Sequence, residues 1–197
     1  AMEQRGKGIL LLGAHYSLLD LGAAMASLHF KVDTVYRPQK NAAFEYMMTS
    51  RRLRYHQWTI PYRDMRLLIK ALKSSHIVWY TPDQDFGRKH SVFAPFFGVP
   101  AATITTPARL AQVNDSAVML IQFCRDGDTE NYRYVITPAL TNYPGGDDVA
   151  DATRINHELE QLIRRAPTQY MWSHRRFKTR PPGEPHLYEE KKKWKKR

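Results

Sequence analysis

The sequence holds one cysteine, Cys124, so no internal disulfide can form. Cys124 follows the apolar run 117–123 and reads as a buried strand residue rather than a reactive thiol. No Cys/His cluster has the spacing of a zinc site. No apolar run reaches the roughly 18 residues of a membrane-crossing helix, and no secretory signal pattern is present. RNA-binding, zinc-finger and helix-turn-helix signatures are missing, so nothing supports a nucleic-acid partner. Internal repeats are absent, and so is the Gly-x-Ser-x-Gly elbow of serine hydrolases.

What is present suits a globular chain. The 197 residues are 43% hydrophobic, enough to bury one ordinary core. The formal charge is +11, and residues 174–197 hold +7 of it, which leaves +4 for the rest. Residues 1–180 read as one domain and 181–197 as a basic tail. A basic surface suits nucleic acid, anionic lipid or an acidic protein. The end of the tail, 191–197, sets Trp194 among six cations. It reads either as a solvated tail or as a headgroup contact, each cation contributing on the order of 1 kcal/mol near an anionic surface. Residues 1–7 run straight into an early core strand, as expected of a piece cut from something longer.

Periodicity alternates along the chain. Strands are expected at 9–14, 33–36, 58–60, 77–80, 117–124 and 132–138. Helices are expected at 17–30 with Ser17 as N-cap, and at 42–55, 63–73, 105–113 and 149–166. Residues 86–102, rich in Phe, Pro and Gly, read as a long loop. The alternation predicts an α/β domain with a mostly parallel central sheet flanked by helices.

Sites in open α/β sheets form at the carboxyl ends of strands. Three polar groups fall at such ends: His15 with Asp20, Arg37 with Asn41, and Asp83 with Asp85. Positions i and i+5 of one continuous helix lie about 140° apart. His15 and Asp20 can therefore meet only if His15 sits in the strand-to-helix turn and Asp20 in the early helix. A carboxylate behind an imidazole fixes its tautomer and makes it a general base.

The spacing His15-x-x-x-x-Asp20 after an apolar strand resembles the signature of the glycerolipid acyltransferase superfamily. Longer stretches resemble the late acyltransferases of lipid A biosynthesis: 80–87, 91–103 and 169–181, with Tyr36-Arg37-Pro38, Asn41 and Arg63-Asp64. These matches run in family order from about Gly8 to Tyr188. The resemblance implies transfer of a fatty acyl chain from acyl carrier protein to a hydroxyl of an anionic glycolipid, a Kdo-bearing lipid A precursor. It places the reaction at the cytoplasmic face of the bacterial inner membrane, with no required metal or cofactor. The family carries an N-terminal membrane helix ahead of the motif, so an anchor is expected upstream. The polybasic tail is not part of the family pattern.

His15 is then the expected base and Asp20 its orienting acid. Ser17 is a second candidate nucleophile beside it. Expected at the substrate are Arg37, Asn41, Arg63, Asp83, Asp85, Arg175 and Arg176. Each has a plainer reading too. Arg37 suits a phosphate or Kdo carboxylate, because guanidinium pairs bidentately with such groups, or is an ordinary surface arginine. Asn41 contacts substrate or holds its loop. Arg63 and Asp64 contact substrate or only start a helix, with Asp64 near its positive dipole end. Asp83 and Asp85 suit Mg²⁺ or anchor basic groups, and the resemblance favours the second. Arg175 and Arg176 face substrate, face the acidic carrier protein, or form a solvated surface. Met47, Met48, Phe93, Phe96 and Phe97 line an acyl groove or pack in the core. The remaining histidines read as structural or surface groups. Two other functions fit the same residues: acylation of a glycerophosphate, lysophospholipid or other glycolipid, and a non-catalytic basic module that docks on membrane.

Overall fold

In the computed structural model, residues 6–127 and 129–188 are described. The cationic cluster at 191–197 and residues 1–5 lie outside them. Six strands form the central sheet: β1 (Ile9–Leu12), β2 (Val32–Tyr36), β3 (Thr59–Pro61), β4 (Ile77–Tyr80), β7 (Ala117–Arg125) and β8 (Tyr132–Ile136). Their order is β3-β2-β4-β1-β7-β8. The first five run parallel and β8 returns antiparallel along β7. The helices are α1 (Leu19–Ala26), α2 (Ala42–Arg52), α3 (Met65–Lys73), α4 (Thr106–Asn114) and α5 (Asp148–Arg165). The expected α/β class and mostly parallel sheet are therefore what the chain adopts.

Period-two alternation in β1 divides the core. Leu10 and Leu12 pack with Leu68 and Leu72 of α3, Leu110 of α4 and Leu159 of α5. Ile9 and Leu11 face the other way, toward Ala23 and Ala26 of α1. The small residues of α1 let it lie close to the sheet. A Cβ at Gly22 would come within 2.8 Å of the Phe123 ring.

Two expectations fail locally. Ser17 is not the cap of α1: the N-cap position is Leu18, without a side-chain bond, and the helix stops at Ala26. The Ser17 N–H is instead donated to the Gln169 carbonyl, 2.9 Å away, so the turn is held by the distant C-terminal segment. The segment expected as a loop at 86–102 contains a hairpin, β5 (Ser91–Phe96) and β6 (Val99–Ile104). Its two-residue turn puts Phe97 and Gly98 at φ +49° and +77°, the pattern that matches strand twist. Pro95 and Pro100 face each other in its register. A two-stranded ribbon tolerates prolines that a central strand would not.

The hairpin is fastened from outside. The Asn156 amide of α5 donates to the Pro95 carbonyl at 2.9 Å and to Thr103 Oγ1 at 3.0 Å, and Glu160 accepts from the Phe97 N–H at 2.7 Å. Arg176, only 3% exposed, donates to the Ala102 carbonyl at 2.6 Å and to Thr103 Oγ1 at 2.8 Å. Its guanidinium lies over the Phe96 ring. Replacing Arg176 by Met leaves that buried carbonyl without its donor. Urea unfolding of Arg176→Met is expected to show a loss of about 1–3 kcal/mol.

Candidate active site

β1 and β4 are hydrogen-bonded parallel neighbours, with Leu12 opposite Tyr80. His15 lies three residues past Leu12 and Asp83 three residues past Tyr80, so the register delivers both to the same end of the sheet. Gly13 lets the chain leave β1 against Trp79, where a Cβ would approach the indole nitrogen to 2.6 Å. The two residues then meet twice. The His15 N–H donates to Asp83 Oδ2 at 2.9 Å, and Nδ1 lies 2.6 Å from Oδ1.

Asp83 is only 2% exposed. Burial pushes its carboxyl pKa up, but the His15 charge and the bonds His15 donates outweigh this, and the net shift is down. An ionised carboxylate only accepts hydrogen bonds, so Nδ1 carries the proton and Nε2 keeps the lone pair. The opposing influences on His15 resolve the other way. Burial lowers the imidazole pKa, while the Asp83 charge and hydrogen bond raise it, and the net value stands above 6.5. Tyr170 is buried close to Asp83. Burial first, then the Asp83 charge, raises its pKa and keeps the hydroxyl protonated.

The C-terminal segment clamps this turn. The Met171 N–H donates to the His15 carbonyl at 2.9 Å, and Tyr16 packs edge-on against Tyr170 at 6.0 Å between ring centroids. Asp85 ties the same segment down, accepting from the Thr179 N–H at 2.7 Å and its hydroxyl at 2.8 Å.

His15 opens on a cavity of about 590 Å³ between α1, the end of β2 with the loop after it, the end of α2 at Arg52, and the loop after β4. Leu18, Leu19, Leu21, Ala23, Phe86 and Met171 supply apolar wall. Tyr36, Arg37, Arg52 and His56 bring the polar groups. Burial first, then the Arg52 charge, pushes the His56 pKa down, so this ring is neutral. Such a cavity suits a long apolar chain with its polar end at His15.

The structure corrects the expected partner of His15. Asp20 does line the cavity, but its side chain is 72% exposed and pairs with Arg52 at 2.8 Å. The acid on the imidazole is Asp83. Several residues expected at the substrate stand elsewhere. Asn41 is the N-cap of α2, its side chain accepting from the Phe44 N–H at 3.1 Å. Arg63 lies over the Tyr62 ring and Arg175 over Tyr188, both outside the cavity wall. Asp85 and Arg176 are the struts already described. Arg37 alone of the expected arginines reaches the cavity. None of Met47, Met48, Phe93, Phe96 and Phe97 lines it, and Phe96 is core. Arg52 at the cavity and Tyr170 beside Asp83 were not expected: Arg52 sits in a run of basic residues ending α2, and nothing local separates it from Arg51 or Arg54. Among the described residues no group of three His, Cys, Asp or Glu could hold a metal ion, and no helix is long and apolar enough to cross a membrane.

The capping role of Asn41 separates cleanly from substrate contact. Asn41→Ser, another good cap, is expected to keep stability in urea unfolding, whereas Asn41→Ala loses about 1 kcal/mol.

Comparison with known proteins gives the family. The family model described as bacterial lipid A biosynthesis acyltransferase matches residues 1–179. The chain is 38% identical over 187 residues to the lipid A biosynthesis palmitoleoyltransferase of Escherichia coli K12, covering 94% of this chain and 61% of that protein. It is 38% identical over 188 residues to the lauroyltransferase of the same organism, covering 95% and 61%. For the myristoyltransferase the figure is 30% over 192 residues, covering 96% and 59%. The chain thus spans about three-fifths of the length of these relatives, and it belongs to the bacterial lipid A biosynthesis acyltransferase family.

Proposed function

We propose that this chain carries the catalytic machinery for moving a fatty acyl chain from an acyl carrier protein thioester to a hydroxyl of a Kdo-bearing lipid A precursor. The observation that carries the reading is the buried His15–Asp83 contact at the head of an apolar cavity. The relatives named above act in lipid A biosynthesis, which supports the acceptor class. The inner-membrane surface is the expected place of reaction.

In this mechanism Nε2 of His15 takes the proton of the acceptor hydroxyl as its oxygen attacks the thioester carbonyl. The C–O bond forms, the tetrahedral intermediate collapses, and the C–S bond breaks. The imidazolium returns its proton to the departing thiolate. Asp83 holds Nδ1–H and stabilises the imidazolium without taking the proton. No enzyme nucleophile is needed, because the thioester is already activated, so Ser17 has no covalent role. Arg37 and Arg52 are placed to meet an anionic group of the acceptor, with Asp20 orienting Arg52.

The test is transfer from a panel of acyl carrier protein thioesters to the Kdo-lipid A precursor in detergent micelles. His15→Ala and Asp83→Asn are each expected to lower kcat/KM by about 10²–10⁴-fold. Because His15 acts deprotonated and its pKa stands above the ordinary 6.5, the rate should rise with pH along a limb centred above 6.5. Transfer that survives His15→Ala contradicts the mechanism.

A further inference from the structure

None of the residues of α2 is buried, although Phe44, Tyr46 and Met47 sit on it and Leu53 and Tyr55 follow directly. An amphipathic helix of a globular domain normally turns its apolar stripe to the core. Here the half-buried positions are Glu45, Met48, Thr49, Ser50 and Arg52. Glu45 accepts from the Tyr36 hydroxyl and the Gln39 N–H, and Arg52 reaches across to Asp20. At 100° per residue, Phe44, Met47 and Arg51 fall on one stripe, and Tyr46 and Leu53 fall together on the opposite flank of the helix, so apolar groups stand on both sides of its outward face. All five are exposed, Tyr46 at 76%.

The charge of this face is mostly of one sign, the exposed acids at its borders being Asp20, paired with Arg52, and Asp64, the cap of α3. Between residues 27 and 63 the acidic residues are Asp33 and Glu45. Asp33 is buried against His76, and Glu45 is held as described. The exposed charges there are Lys31, Arg37, Lys40, Arg51, Arg54 and Arg63. The apolar groups stand among cations: Phe44, Tyr46, Met47 and Leu53 alternate with Arg51 and Arg54, all exposed. Rings and thioether that enter the acyl boundary, with guanidinium groups at headgroup level, are how a helix lies on an anionic bilayer. The cavity opens next to this helix: Arg52 of α2 lines it, and the exposed wall residues Arg37 and Gln39 lead into α2, Gln39 bonding to Glu45.

We infer that the outward face of α2 is a docking surface for an anionic lipid bilayer, which sets the mouth of the His15 cavity at the membrane. The value of that placement rests on the lipid acceptor proposed above; the docking itself is read without any acyl transfer, so the two can fail separately.

The experiment is co-sedimentation of the whole chain with vesicles of phosphatidylcholine alone or mixed with phosphatidylglycerol. One variant carries Phe44→Ser, Tyr46→Ser and Leu53→Ser; a second carries Arg51→Glu and Arg54→Glu. A third, Lys73→Glu with Arg165→Glu, makes the same charge change at the ends of α3 and α5 on the far side of the sheet. The basic tail stays in every protein, and far-UV circular dichroism checks each fold. The expected result is binding that needs phosphatidylglycerol. Both α2 variants should partition at least about ten-fold more weakly, with the third close to wild type. Equal partitioning of wild type and both α2 variants overturns the inference and leaves the tail or another surface as the contact. Absence of binding by the wild type overturns it too. So does self-association, seen by analytical ultracentrifugation, that the α2 substitutions abolish while vesicle binding persists, because the face then belongs to a second copy of the chain.

Discussion

A carboxylate buried in an apolar interior is costly unless several donors surround it. Asp83 is such a group, and much of the local architecture exists to satisfy it. The backbone N–H and ring of His15 bond to its two oxygens, and Tyr170 packs close by. Placing these groups brings together the ends of two neighbouring strands and a segment from the far end of the chain. The cost of burying the charge is offset only when all three are in place, which couples formation of the site to completion of the fold. A preformed His–Asp contact of this kind leaves one imidazole nitrogen basic and fixed in direction, the property a general base needs.

The C-terminal segment from Ala166 to Arg180 is the second organising element. It borders the turn at His15, holds the loop after β4 through Asp85, and sends Arg176 into the hairpin that α5 supports. The cavity is therefore walled by pieces that are remote in sequence but share hydrogen bonds. α2 stands apart. It touches this network through Glu45 and Arg52 only on its inner side, which leaves its outer side for a partner outside the chain.

The reading from sequence and the structure agree where local pattern decides. The apolar run before His15, the helix face of α3 and the alternation of strand and helix all reflect burial that a window of a dozen residues already displays. They disagree where strand order decides. Asp20 is five residues from His15 and Asp83 is 68 away, and only the pairing of β4 with β1 makes the distant acid the near one. The matched offsets from Leu12 and Tyr80 carried that information, but they become readable only once the two strands are known to be neighbours. The hairpin at 91–104 was hidden by its prolines, which argue against a central strand but not against an isolated ribbon. Asp85 was expected at the substrate from its place at a strand end and Arg176 from the stretch that resembles the family; here each is taken up by backbone and threonine partners.

Assignment of Asp83, rather than Asp20, to the imidazole is the central claim. Its most direct test is ¹⁵N NMR titration of the His15 ring in the wild type, Asp83→Asn and Asp20→Asn. The account predicts a wild-type pKa above 6.5 with the proton on Nδ1 in the neutral form. In Asp83→Asn the raising charge is gone and burial remains, so the pKa should fall below 6.5, while Asp20→Asn should titrate like the wild type. A fall in Asp20→Asn with no change in Asp83→Asn would contradict it.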